Sequence, residues 1–237
     1  MLASLAVALC PASGAAQRPA TPSDVDVDRA VMARAAEARG FRLVVSLADR
    51  RLWAIQDDDT LLAARAAVAS DAELAYQGKR WRFSMPPGVR PVLRKDSLPV
   101  WVPPEWHYYE VAQSLGLAVR HLAIDRPVAL GGGRRLVVRH DTVGVVDADA
   151  RFDALPGDEE IVFGGTLFIP PPGTRNRRIE GELGRYRLML PDGYSLHGTP
   201  WRDSIGAAVT HGCVRLDDAD IAWLYEHVPV GTLVYVY

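Results

Sequence analysis

Residues 41–56 read FRLVVSLADRRLWAIQ, and this stretch decides the fold class. Residues 41–47 form an apolar, β-branched run of the kind that makes a buried strand. The polar residues 48–51 then turn the chain into a second apolar run at 52–55. Two such runs joined by a short polar turn predict an antiparallel hairpin.

The same alternation of short apolar runs and turns continues along the chain. Further strands are predicted at residues 61–69, 136–139, 143–146, 166–169, 186–190, 194–197 and 232–237. Two helices are predicted among them, one from Glu105 through Ser114 with Gly116 after its end, and one over residues 217–227. This pattern favours a mainly β fold, a sandwich or barrel with a few short helices. The less regular residues 70–136 are predicted to hold an insertion that covers the functional site.

The N-terminal residues predict export. Residues 2–9 are apolar and are followed by small residues up to Ala16, which is typical of a secretory signal over residues 1–16. No Lys or Arg precedes the apolar run, which departs from the usual pattern of such signals. The alternative is a lipoprotein in which Cys10 is acylated.

The composition is that of an ordinary globular protein. The chain has 237 residues, of which 49% are hydrophobic and 24% charged, and its net charge is −2. This balance gives no overall attraction to nucleic acid or to anionic membranes, and no integral membrane segment is predicted in the mature chain. Residues 17–40 are predicted to be a linker and an N-terminal helix, with Ser23 as its cap and Gly40 after its end. The main domain is predicted over residues 41–237.

Cys213 is the one cysteine that would remain after cleavage of the signal. An exported protein rarely keeps a single unpaired thiol for structural reasons, because the thiol is exposed to oxidation and mispairing. Cys213 directly follows His211-Gly212, and His197 precedes it by 16 positions (213 − 197). We therefore interpret Cys213 as a nucleophile.

An attacking cysteine needs a base, because the thiolate is the reactive species. The connection between His197 and Cys213 is long enough for a strand end, a loop and a return that bring the two side chains together. Gly206 within it and Gly212 beside the thiol permit tight backbone paths. The backbone N–H groups of residues 211–213 are candidates to receive a developing oxyanion.

Other readings of these residue types remain open. His197, His211 and Cys213 include the ligand types of a zinc site, and a lone cysteine is commonly a small buried hydrophobe. The remaining histidines are interpreted as ordinary surface or core residues: His107, His121, His140 and His227. A group of aromatic residues either lines a glycan- or peptide-binding cleft or packs in the core: Trp81, Trp101, Trp106, Tyr108 and Tyr109.

The segment around the cysteine resembles the signature of the L,D-transpeptidase (YkuD-like) catalytic domain. That signature is a histidine, a spacer, and Ser/Thr-His-Gly-Cys followed by an apolar residue and Arg or Asn. Here it reads His197-Gly198-Thr199 and Thr210-His211-Gly212-Cys213-Val214-Arg215. Residues 44–55 are similar to the family's first hairpin, whereas Met85-Pro86-Pro87-Gly88 departs from the Thr-Pro-x-Gly that members often carry. The resemblance covers residues 41–237 and implies the family's β-sandwich with an inserted loop region.

By position, the resemblance implies that Cys213 is the nucleophile and His197 the general base. The backbone carbonyl of Gly198 would stand where the family's imidazole-orienting group lies. The resemblance implies no cofactor and no metal.

The neighbouring residues receive supporting roles from the same resemblance. His211 and Gly212 would line the oxyanion hole. Thr210 and Arg215 would contact the substrate or organise the loop. For Arg215, a salt bridge that holds the loop and a contact to a substrate carboxylate both remain open.

The function that the resemblance implies is that of a bacterial cell-wall enzyme. Such an enzyme cleaves the L,D-peptide bond before D-Ala in a peptidoglycan tetrapeptide stem and transfers the acyl group to an amine. The acceptor amine belongs to a neighbouring stem or to another molecule, such as a protein anchored in the outer membrane. The implied location is the periplasm or cell wall, and the implied process is cell wall biogenesis and cell shape. Two other functions stay open: an L,D-carboxypeptidase that uses water as acceptor, and a non-catalytic cell-wall-binding module.

Overall fold

The structure, a computed structural model, describes residues 22–237, with side chains from residue 25 onward. The predicted signal over residues 1–16 and the first part of the predicted linker lie outside the described residues. The helices are α1 (Pro22–Glu37), α2 (Glu105–Leu115) and α3 (Asp218–His227), with short 3-10 turns at Arg175–Arg177, Pro191–Gly193 and Arg202–Ser204.

Nineteen strands are found in the described part of the chain, in chain order. The first ten are β1 (Phe41–Ser46), β2 (Arg51–Gln56), β3 (Asp59–Ala69), β4 (Glu73–Tyr76), β5 (Lys79–Arg82), β6 (Gly88–Pro91), β7 (Arg94–Ser97), β8 (Ala118–His121), β9 (Val128–Gly131) and β10 (Arg134–Arg139). The others are β11 (Thr142–Val146), β12 (Phe152–Ala154), β13 (Val162–Phe163), β14 (Thr166–Ile169), β15 (Tyr186–Met189), β16 (Ser195–His197), β17 (Ala208–Thr210), β18 (Val214–Leu216) and β19 (Leu233–Val236). The predicted mainly β fold is confirmed.

Ten of these strands form one sheet, in the order β6-β19-β1-β2-β3-β18-β16-β15-β7, with β17 paired to β3. The predicted first hairpin is confirmed, because β1 and β2 pair antiparallel with Phe41 opposite Gln56. The two edge strands β6 and β7 are separated in the chain by Val92 and Leu93 alone. The sheet therefore curls until its two edges lie side by side, and Leu93 N–H donates to the carbonyl of Met189 on β15 at 2.8 Å.

The main hydrophobic core lies inside this curled sheet. On β1, Leu43 and Val45 point into that core, together with Ile221 and Leu224 of α3. Side chains alternate across a strand, so the intervening Val44 points outward, where it packs with residues of α1. Burial on both faces explains why β1 reads as a continuous apolar run.

A second unit is inserted into this framework, and we call it the cap (residues 71–83 and 98–184). Its ends are held at the main sheet, where Leu98 N–H donates to the carbonyl of Arg185 at 2.8 Å. Within the cap, Leu167 and Ile169 of β14 face a cluster that includes α2, whereas Phe168 faces the meander β9–β12. The cap thus has its own core on each side of β14.

Residues 70–136 are more regular than their sequence indicates. This range, predicted to be less regular, contains the strands from β4 to β9 in addition to the predicted helix α2. Two of these strands, β5 (KRWR) and β7 (RKDS), are rich in charged residues and show no apolar alternation. Both strands lie at the edge of a sheet, where charged side chains are common. Without apolar alternation, these strands could not be predicted from the sequence.

The start of α1 also corrects a prediction. The helix begins at Pro22, so Ser23 lies in its first turn and is not its cap. Proline suits a first helical position, because its fixed φ is helical and its missing N–H has no partner there anyway. The helix packs on the main domain through contacts of Val31 and Ala35 with Val44 and Tyr235. Within the described residues, no helix is both long and apolar enough to cross a bilayer.

Candidate active site

Strand pairing places the two predicted reactive residues on the same face of neighbouring strands. Strands β16 and β18 are parallel neighbours, with Leu196 opposite Val214 and His197 opposite Arg215. Leu196 and Val214 both face the main core, so the residues next to them in sequence face the other side. On that side the Ser195 hydroxyl donates a hydrogen bond to the Cys213 sulfur, with Oγ and Sγ 3.4 Å apart. His197 is the next residue of β16 on the same face.

The imidazole of His197 is held in one tautomer. Its Nδ1 lies 2.6 Å from the carbonyl oxygen of Gly198. A carbonyl only accepts, so Nδ1 carries the proton and Nε2 is left with a lone pair. The carbonyl of Gly198 therefore fixes the tautomer of the ring.

The same imidazole is neutral at neutral pH. Burial lowers the pKa of His197 from 6.5 to about 4, and the charges of Arg215 and Arg187 add to that lowering, while the hydrogen bond to Gly198 opposes it. Arg187 stands opposite His197 on β15 and is itself paired with Asp96, with Nη2 and Oδ2 2.6 Å apart. His197 is therefore unprotonated across the neutral pH range, which is the form in which a general base acts.

A contact between two glycines fixes the carbonyl that orients the ring. Gly184 has a φ of +64°, and a Cβ built on it would lie 2.6 Å from the carbonyl carbon of Gly198. A Cβ at Gly198 would lie 3.0 Å from an oxygen of Asp218 and 3.3 Å from both Ile221 and the Cα of Gly184. Neither position has room for a side chain, so the backbone at Gly198 is held between the end of the cap and α3.

Residues 210–213 form a tight turn, which we call the cysteine loop. The hydroxyl of Thr210 donates to the carbonyl of Cys213 at 2.6 Å and accepts from the N–H of Gly212 at 3.3 Å. Gly212 has a φ of +133°, and a Cβ there would lie 3.1 Å from the ring of Tyr194. Thr210 thus organises the loop, which is one of the two roles considered for it.

The predicted oxyanion donors differ in their availability. The N–H of Gly212 is already bonded to Thr210. Within the part of the chain that the structure describes, the N–H groups of His211 and Cys213 donate to no other group. Gly212 therefore contributes its backbone conformation, and the other two residues contribute free donors.

The side chain of His211 points toward the cap. Its Nε2 lies 3.0 Å from both carboxylate oxygens of Glu110. Its ring stacks on Trp106 of the same helix, with centroids 3.9 Å apart, and meets the edge of Phe83 at 4.3 Å. The sequence reasoning missed Glu110, although its spacing of four from Trp106 on a helix indicates a shared face. Ser195 was also missed. It lies two residues before His197 on a strand, and this spacing indicates that the two side chains share a face.

Arg215 is more than half buried beside the reactive residues. Burial lowers the pKa of its guanidinium, and the negative charges of Glu182 and Cys213 oppose that shift. Among residues 25–237 no carboxylate forms an ion pair with Arg215. The described contacts thus contain no salt bridge that would assign Arg215 to holding the loop.

The structure also shows the surroundings of the other candidate residues. In residues 25–237 no group of three or more His, Cys, Asp or Glu side chains is arranged to hold a metal ion. Of the other histidines, His107 pairs with Glu160 and His121 with Glu105, each at 2.9 Å. The aromatic group divides: Tyr108 and Tyr109 are buried in the cap, whereas Trp106 lies against the cysteine loop.

The fold and this site define a class: mainly β proteins in which a buried imidazole, oriented by a backbone carbonyl, lies on the strand next to a free cysteine. Over residues 40–236 the sequence matches the family model of the L,D-transpeptidase catalytic domain (YkuD). The chain belongs to that family, whose relatives are named as enzymes.

Curated relatives match over the most similar segment only. The chain is 47% identical over 65 residues to the Escherichia coli protein named "Probable L,D-transpeptidase YbiS", covering 27% of this chain and 21% of that protein. It is 40% identical over 86 residues to the Salmonella typhimurium "Probable L,D-transpeptidase ErfK/SrfK", covering 30% of this chain and 28% of that protein. The matched segments thus span about a quarter of these relatives' lengths.

Solved structures of the same family are similar at low sequence identity. One is an L,D-transpeptidase from Xylanimonas cellulosilytica, with 14% identity, a TM-score of 0.44, and coverage of 85% of this chain and 62% of that one. Another is the catalytic domain of an Enterococcus faecium L,D-transpeptidase acylated by ertapenem, with 13% identity, a TM-score of 0.42, and coverage of 85% and 99%. Membership of the family rests on the sequence match.

The contact between the two glycines predicts a specific sensitivity. Gly184→Ala and Gly181→Ala both place a side chain at positive φ, but only position 184 is crowded, since nothing lies within 4 Å of a Cβ at Gly181. We expect Gly184→Ala to be less stable than Gly181→Ala by at least about 1 kcal/mol, because the overpacked Cβ must displace Gly198. Urea unfolding of both variants measures this difference. Equal stabilities would contradict the crowding argument.

The buried imidazole predicts a dependence of stability on pH. The pKa of His197 is lower in the folded chain (about 4) than its ordinary value of 6.5, so the unfolded chain binds this proton more tightly. The contribution is fully present above pH 6.5 and is lost as the pH falls toward 4. Between pH 7 and pH 4.5 we expect the wild type to lose about 2 kcal/mol more than His197→Asn, in urea unfolding at both pH values. Equal losses in both proteins would show that His197 titrates normally.

Proposed function

We propose that this chain is an exported cysteine acyltransferase that cleaves the L,D-peptide bond before D-Ala in a peptidoglycan tetrapeptide stem and transfers the acyl group to an amine. The single observation that supports this most is the arrangement around Cys213. A neutral imidazole, His197, is held by a carbonyl at 2.6 Å on the strand next to the thiol, within a chain that belongs to the L,D-transpeptidase family.

The first half-reaction forms an acyl-enzyme. Nε2 of His197 takes the proton of the Cys213 thiol, and the sulfur attacks the carbonyl carbon of the third stem residue. A carbon–sulfur bond forms, and the carbonyl becomes an oxyanion that the free N–H groups of His211 and Cys213 can receive. When the oxyanion collapses, the carbon–nitrogen bond to D-Ala breaks, and the imidazolium returns its proton to the leaving amine.

The second half-reaction uses the same groups in reverse. An acceptor amine loses a proton to His197 and attacks the thioester, so that a carbon–nitrogen bond forms and the carbon–sulfur bond breaks. The imidazolium then returns its proton to the released sulfur, which restores the thiol and the neutral ring. The guanidinium of Arg215, more than half buried, charged and without an ion pair among the described residues, suits a carboxylate of the stem. Donor and acceptor stem peptides are the proposed partners, and a protein anchored in the outer membrane is a further acceptor.

The first alternative, an L,D-carboxypeptidase, differs from the proposed function only in the fate of the thioester. Water in place of the amine would make the chain an L,D-carboxypeptidase, and the outcome depends on how well the site excludes water. A non-catalytic wall-binding module would have no need of an oriented base beside a free thiol. The proposed site of action is the periplasm or cell wall.

Product masses from a defined disaccharide-tetrapeptide test the proposal. The wild type is expected to release D-Ala and to form cross-links between the third residues of two stems. Cys213→Ala is expected to reduce turnover by at least roughly 1,000-fold, because no other nucleophile replaces the sulfur. Tripeptides without cross-links would favour the carboxypeptidase. Unchanged processing by Cys213→Ala would overturn the cysteine mechanism.

The Ser195 hydroxyl is expected to support the reactive form of the sulfur. The hydroxyl donates to the sulfur, so Ser195→Ala should slow alkylation of Cys213 by iodoacetamide by about tenfold. Ser204→Ala is the matched control, since its hydroxyl bonds to the carbonyl of Trp201 in the same connection. Equal alkylation rates in the wild type and Ser195→Ala, or an equal loss in Ser204→Ala, would contradict this role of the Ser195 hydroxyl.

A further inference from the structure

The ring of His211 is fixed by the cap in two independent directions. Stacking on Trp106, with an interplanar angle of 14°, sets the plane of the imidazole. The carboxylate of Glu110, with both oxygens 3.0 Å from Nε2, sets the rotation of the ring within that plane. Together with the edge contact of Phe83, these are all the ring and hydrogen-bond contacts of the His211 side chain within the described residues.

The residues that hold the ring are themselves held by the cap core. Trp106 and Glu110 are four positions apart on α2, so they lie on one face of the helix. Other residues of α2, Tyr109 and Ala112, are buried in the cluster that also contains Phe83. The position of the Glu110 carboxylate is therefore determined by packing inside the cap and not by the main sheet.

The backbone of His211 belongs to the cysteine loop. The other anchors of that loop are the hydroxyl of Thr210 and the crowding of Gly212 by Tyr194. His211 connects these two anchored residues, and its own N–H is one of the free donors. The contacts of its ring with the cap therefore tether the residue that lies between the two anchors of the loop.

We propose that Glu110 is a positioning residue for the cysteine loop: through the His211 ring it aligns the N–H groups that receive the oxyanion. Formation of the acyl-enzyme then requires that the cap be docked on the loop. The effect on the rate of acylation rests on the proposed function. The restraint of the cysteine loop by Glu110 is independent of that function.

Stability alone does not account for this contact. The Glu110 side chain is 41% exposed and that of His211 is 24% exposed. Even when fully charged, side-chain pairs as accessible as this one add little to folding stability. The effect of the contact on orientation can be much larger than its effect on stability, because displacement of a reacting group by about 1 Å costs roughly 100-fold in rate.

A comparison of two reagents on the full chain tests the proposal. A carbapenem acylates a thiol through a tetrahedral oxyanion, in which the carbon–sulfur bond forms and the lactam carbon–nitrogen bond breaks. Iodoacetamide alkylates the same thiol without an oxyanion. We expect Glu110→Ala to slow acylation by the carbapenem roughly 10- to 100-fold and alkylation by less than about threefold. Glu110→Gln keeps an acceptor for Nε2–H and should restore most of the acylation rate.

Glu105→Ala is the matched control on the same helix. Glu105 also pairs with a histidine, His121, at 2.9 Å, but that pair lies outside the cysteine loop. We expect this variant to match the wild type with both reagents. Equal losses with both reagents in Glu110→Ala, unchanged acylation in it, or an equal effect of Glu105→Ala would each overturn the proposal.

Amide hydrogen exchange separates this inference from the proposed function. In Glu110→Ala the amides of Gly212 and Cys213 should exchange faster than in the wild type and in Glu105→Ala. Unchanged exchange would overturn the positioning role even in an active enzyme. Faster exchange in a chain whose wild type neither reacts with the carbapenem nor processes the stem would refute the proposed acyl transfer and leave the restraint by Glu110 standing.

Discussion

A hydrogen bond of 2.6 Å between Nδ1 of His197 and the carbonyl of Gly198 sets the chemical state of this site. The bond places the proton on Nδ1, and burial keeps the ring neutral, so Nε2 is available as a base. The carbonyl can serve only if it does not move. Its position depends on Gly184 and on Asp218 and Ile221 of α3, so the site extends well beyond the reactive residues.

The architecture explains how two distant parts of the chain meet at this point. The curled sheet brings β16 and β18 together and sets the thiol opposite Ser195. The cap has its own core and reaches the same place through α2. The cysteine loop lies between the two units, and His211 is the residue through which the cap acts on it.

Sequence patterns identified those helices and strands in which apolar residues recur at regular spacing and face the core. The first hairpin, α2 and α3 all lie where apolar periodicity and capping residues predict them, with Asp217 capping α3 through the N–H of Ala219. Two strands were missed where charged side chains interrupt the alternation: β5 of the cap and β7 at the edge of the main sheet. The start of α1 was misread because the predicted cap, Ser23, competed with a proline that suits the first helical position better.

The sequence by itself determined the mainly β class, the family and the spacing of His197 and Cys213, because these depend on residue types and on separations short enough to read along the chain. Tertiary structure decided the rest. The contact of Glu110 with His211 joins residues 101 positions apart, and no local pattern specifies such a pair. The low pKa of His197 arises chiefly from burial, which exists only once the sheet and α3 have closed around it.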